Sequence, residues 1–114
     1  MKTILFMTTV FILSYIDIKA KSVKDTTITV LGNCEMCKKT IEKAVKSVDG
    51  VQSASWDKKK KKLNVQFDTI KTSLPSIELS IISVGYDTEN MLAKDSVYQT
   101  LNPCCRYDRN KKNR

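Results

Sequence analysis

Four cysteines carry most of the chemistry this chain could do. They fall in two close pairs, Cys34/Cys37 and Cys104/Cys105, and no histidine accompanies them. The first pair is a CxxC, Cys34-Glu35-Met36-Cys37. That spacing lets two sulfurs grip one ion from a single loop. Where such a loop opens a helix, unpaired first-turn N–H groups and the positive end of the helix dipole face the sulfurs. Both lower thiol pKa and stabilise the negative charge of a bis-thiolate metal centre. Lys38 and Lys39 add positive charge nearby. Thiolates are soft ligands, which favours Cu(I), Zn(II), Cd(II) or Hg(II) over Mg(II) or Ca(II). The lack of histidine excludes mixed Cys/His zinc sites, and two thiolates alone suit a two-coordinate ion better than tetrahedral Zn(II). Met36, between the two cysteines, reads as exposed or packed in the loop; thioether ligation is the weaker reading.

A CxxC also serves as a structural disulfide or a redox site. A thioredoxin-like reading wants a longer α/β core after the motif and a proline loop facing it. Pro75 and Pro103 are the only prolines, and a hairpin pattern follows the first helix. Nothing points to a hydrolase: there is no histidine, no paired buried carboxylates and no phosphate-binding loop; the chain is expected not to be an enzyme, and no catalytic residue is assigned.

The elements that must position the pair follow from periodicity. Thr26 to Leu31 alternates, with Ile28 and Val30 on one face, and reads as a strand broken by Gly32-Asn33. From Glu35 the period becomes helical, with Cys37, Ile41, Ala44, Val45 and Val48 on one stripe; Asp49-Gly50 ends that helix. Val51 to Trp56 is a second strand. The run Lys58 to Lys62 makes a turn, and Leu63, Val65 and Phe67 mark a third strand. A second helix begins near Pro75, with Leu74, Ile77, Ile81 and Val84 as its buried stripe and Gly85 at its end. Tyr86 to Met91 is predicted as a last, weaker strand. The order βαββαβ gives an α+β, ferredoxin-like sandwich with both helices on one sheet face.

Beyond Leu92, Asp95 to Leu101 reads as a short extra helix, capped by Asp95, stopped by Asn102-Pro103, with Val97, Tyr98 and Leu101 inward. Such a helix must pack on something, and the open surface of a small domain is the obvious candidate. That would bring Cys104 and Cys105 near the metal loop as accessory ligands. Adjacent cysteines bond to each other only through a strained ring. A third or fourth sulfur would shift preference towards Zn or Cd. Against this stand a disulfide to a partner chain and a frayed tail with unrelated thiols.

The start reads as an export signal. Lys2 is followed by a 13-residue apolar run, Ile4 to Ile16, with cleavage expected at or near Ala20. The alternative is a retained membrane anchor, for which a spanning helix needs about 20 apolar residues. Removing residues 1–20 lowers the net charge from +8 to +7. The basic runs, Lys58 to Lys62 and Arg106 to Arg114, read as a solvated turn and a frayed terminus. Export argues against a nucleic-acid partner and leaves a weak, unspecific attraction to anionic membranes. The chain then divides into a signal peptide (1–20), a metal-binding domain (25–92) and a C-terminal extension (93–114).

Taken together, Gly32-x-Cys34-x-x-Cys37-x-x-x-Ile41-Glu42-x-Ala44-Val45-x-x-Val48-x-Gly50-Val51 resembles the heavy-metal-associated domain family, and Gly85-Tyr86-Asp87 falls where that family carries a later Gly-Tyr or Gly-Phe. The resemblance covers about Thr26 to Leu92. It implies a βαββαβ fold and transfer of Cu(I), or sometimes Hg, Zn or Cd, by thiolate exchange, with Cys34 and Cys37 as ligands. Tyr86 matches a loop residue that shields the metal in bacterial relatives, and reads equally well as a plain core residue. The family usually carries Gly-Met-x-Cys before the pair, the methionine plugging the core beneath the loop. Here Gly32 stands in its place, which implies a more mobile site. A free-standing domain behind an export signal resembles periplasmic mercury- and copper-binding proteins more than cytosolic chaperones, although the domain itself also resembles bacterial copper chaperones. The expectation is a periplasmic or secreted carrier or scavenger holding one Cu(I), with Hg(II), Zn(II) or Cd(II) in detoxification as one alternative and a periplasmic thiol–disulfide redox protein as another. The implied partners are a metal-transporting membrane protein or another thiolate carrier. The implied state is a monomer or a metal-bridged dimer.

Overall fold

Alternation along three strands puts one set of apolar side chains on one sheet face. Ile28 on β1 (Val23–Thr29), Ala54 and Trp56 on β2 (Val51–Asp57), and Leu63, Val65 and Phe67 on β3 (Lys62–Asp68) are all buried. The structure, a computed structural model, describes residues 22–109. The expected signal peptide therefore lies outside the described residues, as does the end of the basic tail. The sheet is antiparallel in the order β1-β3-β2, in a register that pairs Ile28 with Leu63 and Trp56 with Leu63. Its outer face is polar: the Asn64 amide donates to Asp25 and Thr27.

Two helices cover the apolar face. α1 (Glu35–Lys46) buries Cys37, Ile41 and Val45, each 0% exposed, and α2 (Leu74–Ser83) buries Ile77 and Ile81. Their removal from water contributes about 1.5–3 kcal/mol per large aliphatic side chain. Pro75 sits in the first turn of α2, where its missing N–H costs nothing. Gly50 (φ 98°) and Gly85 (φ 102°) take the left-handed conformation that turns the chain after α1 and after α2.

The expected last strand, Tyr86 to Met91, is reduced to one antiparallel bridge between Val30 and Thr88. The N–H of Leu31 donates to the Asp87 carbonyl at 2.9 Å, and the N–H of Glu89 donates to the Thr29 carbonyl at 3.0 Å. The strand goes no further because Thr88 turns the chain. Its hydroxyl accepts from the N–H groups of Asn90 and Met91, and its own N–H donates to the Met91 carbonyl. The arrangement is still the ferredoxin-like one, with the bridge on the free side of β1.

After this turn come α3 (Asp95–Tyr98) and a 3₁₀ turn, Pro103–Cys105. The N-cap of α3 is Lys94, not Asp95, and α3 ends three residues before Leu101. Asp95 instead accepts from Arg109. Tyr98 and Leu101 pack against the core, as do the buried Cys105 and Tyr107. Up to Arg109 the basic tail is therefore not frayed.

Candidate metal centre

Cys34 is the N-cap of α1, in extended conformation, and Cys37 lies in its first turn. The two sulfurs are 3.3 Å apart. Cys37 is fully buried, and its sulfur accepts from the N–H of Asn33 at 3.5 Å; Cys34 is partly exposed. One sulfur of the pair is thus anchored in the core and the other faces outward.

Beneath the loop lies Trp56. A Cβ at Gly32 would stand 2.9 Å from two carbons of the indole ring. The indole N–H donates to the Val30 carbonyl at 3.0 Å, which fixes the ring under the loop. The place left by the small residue at position 32 is therefore filled by Trp56 and is not a void. The turn lysine Lys61 lies 5.7 Å above the same ring and donates to the Gly32 carbonyl. Lys38 donates at 2.9 Å to both Glu42 and the Trp56 carbonyl, tying α1 to β2.

The C-terminal segment returns to this loop. The sulfur of Cys105 is 3.5 Å from that of Cys34, and the sulfur of Cys104 is 3.8 Å from both. Cys105 is buried at 2% exposure, and Cys104 is open to solvent. The Asn102 amide donates to the Met36 sulfur at 2.9 Å, a second tie between tail and loop. Met36 is exposed at 47% and packs in the loop. Tyr86, buried at 1%, has its hydroxyl against the thiols of Cys37 and Cys105. All four cysteines and Tyr86 thus stand together.

The electrostatics differ from sulfur to sulfur. Burial alone would push the Cys34 thiol up. The Cys37 N–H and the surrounding thiols of Cys37, Cys105 and Cys104 more than offset this, and bring it down to about 7. Cys105 goes the other way: burial, and then its hydrogen bond with Cys37, push its thiol well above the ordinary range. Burial also raises Tyr86, so it remains a neutral phenol able to donate to sulfur.

What fixes the tail is a set of residues that read as solvated. The Tyr107 hydroxyl donates to the Gly85 carbonyl and accepts from the N–H of Asp87, both at 2.8 Å. Its ring stacks on Tyr86 at 5.8 Å and meets Tyr98 edge-on at 5.1 Å. Arg109 grips the fully buried carboxylate of Asp87 with two nitrogens, each at 2.9 Å. It also donates to the Ala93 carbonyl and lies 4.8 Å over the Tyr98 ring. The available signal was Tyr107 itself, an aromatic in an otherwise charged run.

The comparisons bear on this geometry. The model of the heavy-metal-associated domain matches residues 33–87. The copper chaperone CopZ of Staphylococcus saprophyticus is 34% identical over 64 residues, 55% of this chain and 94% of the chaperone. The chain belongs to the heavy-metal-associated domain family. Among solved structures, oxidised MerP of Ralstonia metallidurans is similar with a TM-score of 0.56 and 28% identity, over 59% of this chain and 94% of MerP. The soluble region of the P-type ATPase CopA of Bacillus subtilis is similar with a TM-score of 0.56 and 29% identity, over 60% of this chain and 46% of that one. The heavy-metal-associated match takes in Cys34, Cys37 and Tyr86. Cys104, Cys105, Tyr107 and Arg109 lie beyond it.

Proposed function

We propose that the chain is an exported carrier or scavenger of one soft metal ion, with Cu(I) as cargo, held by the thiolates of Cys34 and Cys37 and passed on by ligand exchange. The observation that carries this reading is the asymmetry of the pair. Cys37 is buried and held by the Asn33 N–H, while Cys34 is partly exposed with its thiol near 7. An ion on such a pair keeps one fixed anchor, Cys37, and one reactive thiolate, Cys34, through which it can be exchanged. The apolar start and Ala20 support export to the periplasm or beyond. The likeness to a P-type ATPase soluble region supports a membrane metal transporter, or another thiolate carrier, as the partner. Tyr86 would shield the inner side of the ion.

A 3.3 Å sulfur pair is also placed for thiol–disulfide exchange, and one experiment separates the two. The reduced full chain is titrated with Cu(I) against a chromophoric competitor and assayed in parallel for reduction of a test disulfide. The expected result is one Cu(I) per chain without catalytic turnover, and loss of tight binding in the Cys34→Ser/Cys37→Ser double variant, because hydroxyls are hard, neutral ligands. Unchanged Cu(I) affinity in that variant, or catalytic turnover by the wild type, would overturn the reading.

A further inference from the structure

We propose that the C-terminal strap, residues 93–109, converts the two-cysteine loop into a centre of at least three thiolates, with Cys34, Cys104 and Cys105 as one face and Cys37 beneath. The proposal rests on the reading of Cys34 and Cys37 as a soft-metal pair and adds a second set of ligands from outside the matched domain. The three sulfurs form a triangle with edges of 3.5, 3.8 and 3.8 Å. Its centre lies about 2.1 Å from each corner, against a Zn–S distance of about 2.3 Å, which puts a bound ion under about 1 Å out of the plane. The edge of a tetrahedron built on that distance is about 3.8 Å. The triangle therefore already has the size of a trigonal or tetrahedral thiolate site, and no backbone movement is needed to close it. A chance meeting of thiols would not require the support that surrounds this one. Tyr107, Arg109 and Asn102 hold the strap through buried or paired contacts on both sides of Cys104 and Cys105.

The ligand class follows. A bare pair of sulfurs leaves a two-coordinate ion satisfied, whereas three or four sulfurs suit closed-shell ions that take more ligands, such as Cd(II) or Zn(II), and Cu(I) in trigonal form. Binding exchanges each S–H for an S–metal bond, releases one proton per thiolate to solvent and moves no electrons. Cys104 lies on the solvent side of the cluster and is the corner an outside thiolate meets first.

The test uses the full reduced chain with Cd(II) as probe. X-ray absorption on the wild type counts sulfurs directly, and thiolate-to-metal absorbance with competition gives affinity. At least three sulfurs around Cd(II) are expected. Cys104→Ser/Cys105→Ser should drop the count to two and weaken Cd(II) binding by about tenfold or more, since two intramolecular ligands are lost. Thermal melting of the metal-free variant checks that the fold persists. Cys104→Ser alone, at an exposed position, should lose one sulfur without any effect on folding. Two sulfurs around Cd(II) in the wild type, or unchanged affinity in the tail variants while Cys34→Ser/Cys37→Ser abolishes binding, would overturn this inference and leave the two-cysteine reading standing. Binding that survives Cys34→Ser/Cys37→Ser would overturn both.

Discussion

Replacing Tyr107 by Phe keeps the ring and removes one oxygen. The stacking on Tyr86 and the edge contact with Tyr98 remain available to the phenylalanine ring. What is lost is a hydroxyl that bonds the Gly85 carbonyl and the Asp87 N–H at once, both in a buried setting. If water can enter, the loss is two ordinary hydrogen bonds, about 1 kcal/mol each. If it cannot, two buried backbone groups are left without partners, at about 1–3 kcal/mol apiece. The ring is tightly enclosed, Tyr107 being 2% exposed, so about 2–4 kcal/mol is expected. Taken from the seating of the strap, 2 kcal/mol raises its open population about 30-fold, at 1.4 kcal/mol per factor of ten. Cys105 reports that opening, because it is buried when the strap is seated. The assay is alkylation of the reduced, metal-free chain, resolved by peptide mass for each cysteine, alongside thermal melting. Cys105 in Tyr107→Phe should react tens of times faster than in wild type, with Tm lowered by about 10 °C or more. Labelling within twofold of wild type and an unshifted Tm would refute the claim that this hydroxyl locks the tail.

Two further outcomes follow. Alkylation of Cys34 in the metal-free protein should be half-maximal near pH 7, since its thiol is lowered to about 7; the reactive thiolate fades as pH falls through that value, and a profile centred on the ordinary thiol range would contradict the role given to the Cys37 N–H. Gly32→Ala should destabilise the apo protein by about 1–3 kcal/mol in urea unfolding, because its Cβ would meet the Trp56 ring at 2.9 Å; the same change in a Trp56→Leu background should cost less, and equal costs in both would show that the ring is not the obstacle.

The parts legible in the sequence were those governed by period and by short spacing. Leu63, Val65 and Phe67 alternate, and Cys37, Ile41 and Val45 recur at helical spacing, so the sheet face and the α1 stripe could be read directly. The Cys34/Cys37 pair was legible because its chemistry sits in four residues. The fourth strand falls short because alternation from Tyr86 onward competes with Thr88, whose hydroxyl takes the Met91 N–H that a longer strand would have offered to β1, and the Asn90 N–H besides. Asp95 does not cap α3 because it has a distant partner, Arg109, that no local rule reveals. The lock of Tyr107 and Arg109 on Gly85 and Asp87 spans about twenty residues and has no period at all. A basic, aromatic-poor stretch reads as solvated until the buried carboxylate it pairs with is located.

The tail also changes what transfer would require. A two-thiolate loop can surrender its ion to any soft partner that reaches the open side, since the incoming sulfur takes an empty position. With Cys104 and Cys105 seated at 3.5–3.8 Å from Cys34, that position is filled from within the chain. An incoming thiolate must then displace a tethered sulfur that stays close enough to rebind, which slows release in proportion to its effective concentration. Release would become fast only when the strap lifts, and the strap is held by Tyr107 and the Arg109–Asp87 pair in addition to its own sulfur–metal bonds. Retention and delivery by this chain would therefore depend also on contacts made by residues that are not ligands, and Tyr107→Phe should speed metal transfer to a competing thiol without changing any ligand.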